Sequence, residues 1–299
     1  MASLIYKPPA GGNLEAVEVR LSVGSGMIYT FSPGIPTDVL PEHVSNVTAA
    51  LQALAGTLPT EAAPTVGLVG PGGDGTTTYN YKVVAVDADG DGIPSSAVAP
   101  PAALSTPPAP TGAHTAASTN LTSGTYTAKA TYVNAQGETV GSATSAGVSA
   151  SAGDKVTWTA SSVPAGATAV NFYLIAGGSG VTLGFIGSAV PVAGVATLDL
   201  LTLTQGNTVT APVANTTGSP SALSTSSYCH IAWTAPSTLV GAVINYKVLR
   251  TAGGGTQGLI ATVASNVTSY DDKGGAATAY SASGTNPGLI AAVTGPGEI

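Results

Sequence analysis

The sequence predicts a mainly β protein with a small α+β region at its N-terminus. The chain of 299 residues contains 39 Gly and 21 Pro. From about residue 62 onward, short Val, Thr and Tyr runs are separated by turn residues roughly every ten positions, which is typical of strands joined by tight turns. Two sequence patterns each occur twice in that part of the chain, which indicates repeated β modules. A clear helical pattern appears only before residue 61.

Charge is scarce along the whole chain. Charged residues make up 8% of the sequence, and the formal net charge is -7 with eight Lys and Arg, whereas an ordinary soluble domain is about 25% charged. Nucleic-acid binding and binding to an anionic membrane surface are therefore excluded, because both need clustered basic side chains. A surface so poor in charge resists association only weakly, so we expect the protein to work inside a larger assembly.

Several further classes are excluded by composition. The chain is 43% hydrophobic, which is too apolar for a disordered protein. Its apolar runs are interrupted too often to supply the roughly 18–20 consecutive apolar residues of a membrane helix. The single cysteine, Cys229, excludes an intramolecular disulfide and a thiolate metal cluster. No secretory signal is expected at the N-terminus.

The N-terminal region, residues 1–61, differs from the rest. Residues Ala16–Val23 alternate between apolar and polar side chains, which predicts a half-buried strand, and we expect Ser25–Phe31 to pair with it. A capped helix is predicted to follow, with Pro41 at its first position. So small a region lacks a sufficient core of its own, so we expect the apolar helix face to dock against a partner. That face consists of Val44, Val47, Leu51 and Leu54.

The first repeated pattern is a strand, a polar turn and a return strand. It reads TYNYKVVAVDADG at Thr78–Gly90 and TYTAKATYVNAQG at Thr125–Gly137. Tyr79 therefore matches Tyr126, and we expect both rings to lie in a hydrophobic core.

The second repeated pattern begins with KVTWTA at Lys155–Ala160 and HIAWTA at His230–Ala235. An aromatic strand, a Gly-rich turn and a short strand ending in Asp follow each time. Trp158 and Trp233 occupy the same place in the two copies. We therefore expect both to be core residues, although exposed rings at these positions would suit a carbohydrate-stacking surface.

The order of these patterns is first, first, second, second, which favours nested domains. An outer β-sandwich would join residues 62–106 to 213–299, and an inner one would comprise 107–212. Residues 226–284 supply about five strands, too few for a sandwich of roughly seven, and the hairpin near residues 76–98 supplies two more. A serial array with one truncated module is the alternative.

These patterns resemble the fibronectin type III and immunoglobulin-like β-sandwich superfamily over residues 62–299. The W-T-A strand, the aromatic strand after it and the hairpin YNYKVVAVDADG carry the resemblance. In such modules the hairpin comes late, so the modules here are expected to be circularly permuted. The copies also differ, since Ala128 replaces Tyr81 and a residue of an Ala-Gly stretch is expected in place of Arg250.

The combination is similar to β modules of tailed-phage virion proteins, and the N-terminal segment resembles small virion-attachment segments. The resemblance implies a non-enzymatic structural protein of the virion, in head decoration, a head fibre or a tail accessory role. Its partners would be other capsid or tail proteins, in a homo-oligomer or in many copies per particle. A carbohydrate-binding or adhesive module is the main alternative, and a calcium-rigidified bacterial surface module is a third.

The strongest chemical motif is the turn containing Asp87, Asp89 and Asp91. Alternate Asp residues followed by Gly are typical of calcium loops, but Val98 stands where such a loop needs a bidentate Glu. An Asp/Gly-rich hairpin turn, which needs these residues for its backbone, is the favoured interpretation, and the matching inner turn at Asn134–Glu138 is interpreted as lacking the carboxylates. We therefore expect no metal or other cofactor.

No catalytic constellation is apparent. The histidines are His43 on the predicted helix, His114 in a Pro/Ala linker and His230 on a strand. His230 follows Cys229 directly, and neighbouring strand residues face opposite sides of a sheet. The two side chains are therefore not expected to act as a nucleophile and a base.

Overall fold

A computed structural model describes residues 2–5, 17–20, 28–31, 36–40, 47, 60–87, 90–236, 243–281 and 292–293. The regular elements in these ranges are antiparallel strands, with helical backbone at Val47, so the chain is mainly β as predicted. No helix among the described residues is long and apolar enough to cross a membrane. The strands are β1 Ala2–Ile5, β2 Val17–Arg20, β3 Ile28–Phe31, β4 Pro36–Val39, β5 Thr65–Val69, β6 Asn80–Asp87, β7 Gly90–Asp91, β8 Thr111–Ala116, β9 Gly124–Val133, β10 Val148–Ala150, β11 Asp154–Ala160, β12 Ala169–Ala176, β13 Gly184–Ala189, β14 Ala196–Leu200, β15 Tyr228–Ala232, β16 Asn245–Ala252, β17 Gly258–Ala264, β18 Ser269–Asp272 and β19 Ala292–Val293.

The N-terminal strands form two small sheets. β2 pairs with β3, which confirms the pairing predicted for Ala16–Val23 and Ser25–Phe31. β1 pairs with β4 and with the C-terminal β19, a pairing that the local pattern does not reveal. On the predicted helix, Val47 has helical backbone and is fully buried. The helix's remaining predicted residues lie outside the described part of the chain.

Two compact units divide the chain. One, here called the outer unit, contains residues 1–66, 79–99 and 230–299, and the inner unit contains 67–78 and 100–229. Residues 67–78, 100–106 and 213–229 are predicted from the sequence to belong to the outer domain, whereas the contacts group them with the inner unit. Residues 1–61, predicted as a separate region, group with the outer unit.

The inner unit holds a single core between two sheets. One sheet has the strand order β10-β9-β12-β13 and the other β14-β11-β8. Alternate side chains of these strands are buried, as expected when one face of each sheet is covered. Trp158 is fully buried in this core. Gly112 on β8 lies under its ring, since a Cβ there would come within 2.4 Å of the indole and 2.5 Å of Val148.

The outer unit depends on strands that are distant in sequence. One sheet has the order β17-β16-β6-β7, and most residues of a second sheet, β18-β15-β5, also belong to this unit. β6 pairs antiparallel with β16 from Asn80 opposite Ala252 to Val86 opposite Asn245. The hairpin that precedes the inner unit in sequence therefore pairs with a strand that follows it, as the repeat order predicts.

The two copies share one strand register. Val133 faces Ala169 as Val86 faces Asn245, and both ladders shift register between their last two pairs. A second shift occurs at matching places in the ladders that β12 and β16 make with β13 and β17. The sequence repeats are therefore also repeats of backbone geometry.

Gly112→Ala is expected to destabilise the protein by about 1–3 kcal/mol, because a methyl group overpacks the site beneath Trp158. Gly67→Ala, on β5, is the matched control, since nothing lies within 4 Å of a Cβ at that position. The midpoint of urea unfolding measures both. Equal shifts for the two variants would contradict the packing described here.

A chain of residues 100–229 is expected to fold by itself, because all buried members of the inner core lie between Leu104 and Leu200. Trp158 is the sole tryptophan in that range, so its fluorescence reports on this core. A cooperative thermal transition with blue-shifted emission in the folded state is the expected result. Emission typical of exposed indole at all temperatures would show that the inner unit needs the rest of the chain.

Candidate functional site

The calcium candidate is engaged in structural contacts. Asp91 accepts hydrogen bonds from the Lys247 ammonium at 2.7 Å to each carboxylate oxygen and from the Tyr280 hydroxyl at 2.7 Å. The Lys247 nitrogen also lies 5.3 Å from the centre of the Tyr280 ring. Burial raises the pKa of Tyr280, and its hydrogen bond to Asp91 raises it further. The side chain of Asp87 and all of Asp89 lie outside the described residues.

The inner copy holds an equivalent carboxylate, which corrects the expectation that its turn lacks one. Glu138 matches Asp91, and it accepts hydrogen bonds from Asn171, the counterpart of Lys247, at 2.9 Å and from Tyr173 at 2.7 Å. Thr131 donates to the same oxygen. Burial raises the pKa of Tyr173, as does its hydrogen bond to Glu138. The alignment of Gly90 with Gly137 contains this signal, because Asp91 and Glu138 each follow the aligned glycine.

Calcium or a chelator is expected to leave the melting temperature unchanged, because Lys247 already neutralises Asp91. Differential scanning calorimetry with 5–10 equivalents of calcium (roughly saturating for a sensor-type site) and with excess chelator measures this. A chelator-induced drop of several degrees would show that the turn binds the metal after all.

The predicted aromatic core residues are all buried. Trp158, Tyr79 and Tyr126 have no exposed surface, and Trp233 is 7% exposed. The Trp233 ring packs edge-on against Tyr246, with 5.4 Å between ring centres. None of the four presents a face on which a sugar ring stacks.

Two histidines are paired with carboxylates. His230 Nδ1 lies 2.7 Å from Asp271, on an exposed face, while the neighbouring Cys229 is fully buried. The inner copy has Lys155 with its ammonium 2.9 Å from Asp199 at the matching positions. In both copies the pair links the first strand of the second repeated pattern to its last strand.

The sequence predicts that His114 lies in a linker, and the structure corrects this prediction. His114 lies on β8, with Nδ1 2.9 Å from Asp154. β8 is an edge strand, and four of its last five side chains are exposed, so it lacks the apolar alternation by which strands are recognised in a sequence.

The outer unit contains a buried ionic network that is not predicted from the sequence. Arg250 and Asp272 are each 1% exposed, and the guanidinium donates to the two carboxylate oxygens at 3.0 and 2.7 Å. Tyr81 donates to the carboxylate at 2.9 Å, and the backbone N–H of Gly274 donates at 3.0 Å. Nε and Nη2 of the guanidinium donate to the carbonyls of Thr256 and Gly275, respectively. Every nitrogen of the guanidinium and both oxygens of the carboxylate therefore have a partner, as a buried charge pair requires.

The inner copy replaces this network with apolar side chains. The shared register aligns Arg250 with Leu174, which corrects the earlier alignment to an Ala-Gly stretch. Asp271 matches Asp199, so Asp272 matches the following residue, Leu200. Ala128 takes the place of Tyr81. Each of these three inner residues belongs to the hydrophobic core.

Glu61 is a buried carboxylate without a partner. It is 3% exposed, and neither of its oxygens has a hydrogen-bond donor. Burial raises its pKa from 4.5 to about 7, and its charge contributes to the raised pKa of Tyr246 on β16. TEAAPT at residues 60–65 matches TPPAPT at 106–111, so the buried Pro107 takes the place of Glu61 in the inner copy.

Protonation of Glu61 is expected to stabilise the protein. The folded chain binds this proton more tightly than the unfolded chain, so the contribution is complete below about pH 4.5 and is lost as the pH rises to about 7. After discounting for solvent screening, this loss amounts to roughly 1–2 kcal/mol. Urea unfolding of the native protein and of Glu61→Gln between pH 5 and 8 measures it. The difference between the two proteins must change with pH, and a constant difference would contradict the buried carboxylate.

Of the predicted docking residues, Val47 is buried, while Val44, Leu51 and Leu54 lie outside the described residues. Among the described side chains, no cluster of three or more His, Cys, Asp or Glu is arranged to hold a metal ion. Every carboxylate whose side chain is described has a polar or charged partner, except that of Glu61. Comparisons of the chain with family models, with curated proteins and with solved structures found no match. The function therefore has to be inferred from the residues and their contacts.

Proposed function

We propose that this chain is a non-enzymatic structural protein of a tailed-phage virion. It docks through its N-terminal region and displays two β modules, either on the head as decoration or fibre or at the tail as an accessory protein. The observation that carries the proposal is that the carboxylates of the described residues mostly make structural contacts. Asp91, Glu138, Asp154, Asp199, Asp271 and Asp272 each hold strands or turns together within the described part of the chain.

We propose further that both units are circularly permuted relatives of fibronectin type III and immunoglobulin-like sandwiches. Support comes from the two-sheet inner core, from the common register of β6–β16 and β9–β12, and from the hairpin that precedes its partner strands. Such modules bury their own apolar faces, so they act as spacers or displayed surfaces. The small N-terminal region, for which we propose an α+β fold, is then the segment left to recognise a capsid or tail partner.

Presence in many copies on one particle is consistent with the weak charge of the chain. A net charge of -7 spread over 299 residues opposes close packing of copies only slightly. The adhesive alternative needs exposed aromatic platforms, and the buried Trp158 and Trp233 do not supply them. We therefore favour assembly or stabilisation of the particle over glycan binding.

The full chain is expected to bind purified particles assembled without it, whereas residues 60–299 are expected to stay folded and fail to bind. Starting at residue 60 retains Glu61, and near-ultraviolet circular dichroism verifies that the truncated protein is folded. Co-sedimentation with the particles measures binding. Binding of the truncated protein would assign attachment to the β modules, and no binding of the full chain to either heads or tails would overturn the virion role.

A further inference from the structure

The duplication creates a pairing problem within the chain. β6 and β9 are equivalent, and so are β12 and β16, with matching registers and matching register shifts. The backbone therefore offers the same hydrogen bonds to the wrong combinations, β6 with β12 and β9 with β16. β12 is also synthesised before β16, at a time when β6 and β9 are both available.

Backbone hydrogen bonds do not distinguish the combinations, so side chains must. The core positions of the two ladders are largely apolar in both copies. At one place the two copies differ in polarity, because Tyr81, Arg250 and Asp272 form a polar cluster in the outer unit. The inner unit has Ala128, Leu174 and Leu200 at the matching positions, all within its core.

Wrong pairing is penalised in both directions. If β9 paired with β16, Ala128 would leave a void the size of a phenol and would remove one donor from the Asp272 carboxylate. If β6 paired with β12, Tyr81 would overpack a core shaped for Ala128, and its hydroxyl would be buried among leucines without a partner. Voids, overpacking and unpaired buried polar groups each destabilise a core.

We propose that Tyr81, Arg250 and Asp272 form a pairing triad that directs β6 to β16 and excludes β9. A buried ion pair often adds little stability compared with apolar side chains of similar size, and the inner unit shows that this fold closes with an apolar set. The best-attested use of such a buried polar group is to select one pairing among near-equivalent ones. The triad therefore acts on the choice of partner strand.

Three variants of the full chain test this. In the first, the outer unit receives the inner set through Tyr81→Ala, Arg250→Leu and Asp272→Leu. In the second, the inner unit receives the triad through Ala128→Tyr, Leu174→Arg and Leu200→Asp. The third combines all six substitutions, so the outer unit carries the apolar set and the inner unit carries the triad. The two units then again have different side chains at these positions.

Cross-linking after refolding measures the pairing. Val86→Cys, Val133→Cys and Asn245→Cys are introduced together in a Cys229→Ala background, and a short bis-maleimide joins residues on neighbouring strands. Peptide mass spectrometry then gives the ratio of the 86–245 product to the 133–245 product. Val86 faces Asn245 in the structure, so the first product reports correct pairing.

With the natural triad, the 86–245 product should dominate. The ratio should fall at least about tenfold in each of the two variants with identical sets, since an unpaired buried polar group imposes a penalty of that size. It should recover when the sets are exchanged, which a purely stabilising role does not predict. The proposal is overturned if the exchanged variant does not recover, or if a variant with identical sets folds cooperatively with an unchanged ratio.

Discussion

The pairing of β6 with β16 is the interaction on which the outer unit depends. β6 precedes the inner unit in the chain and β16 follows it, so the outer sheet closes only around the whole inner sequence. The entropy of closing a loop grows slowly with its length, so the long separation is tolerable. The difficulty lies in the choice of partner, because an equivalent strand, β12, is closer in the chain.

Within the described part of the chain, the charged side chains mainly hold its own strands together. Asp91 with Lys247 and Glu138 with Asn171 connect the turn of the first pattern to the aromatic strand of the second pattern, at matching positions in the two copies. His230 with Asp271 and Lys155 with Asp199 connect another pair of strands in the same way. The side chains change between the copies while the contact persists, which indicates that geometry rather than a particular chemistry is retained at these positions. Glu61 is different, because it is buried without a partner.

The sequence repeats predicted more of this structure than the individual motifs did. Aligning the two hairpins and the two W-T-A strands anticipates the buried rings of Trp158 and Trp233 and the pairing of β6 with β16. The motif around Asp91 resembles a calcium loop but lacks its last ligand, and only the position of Lys247 shows what the carboxylate holds. The edge strand around His114 was missed, because its side chains are mostly exposed and leave no apolar alternation.

The sequence by itself determined the β class of the chain, its duplicated halves and the scarcity of chemistry-bearing groups, because alternation, turn residues and composition are local properties. Only the tertiary structure decided that Arg250 meets Asp272 and Tyr81, that Glu138 takes the role of Asp91, and that Glu61 is buried without a donor. These contacts join residues far apart in the chain. Their energies depend on burial and on the direction of side chains across paired strands, and both arise only when the sheets have formed.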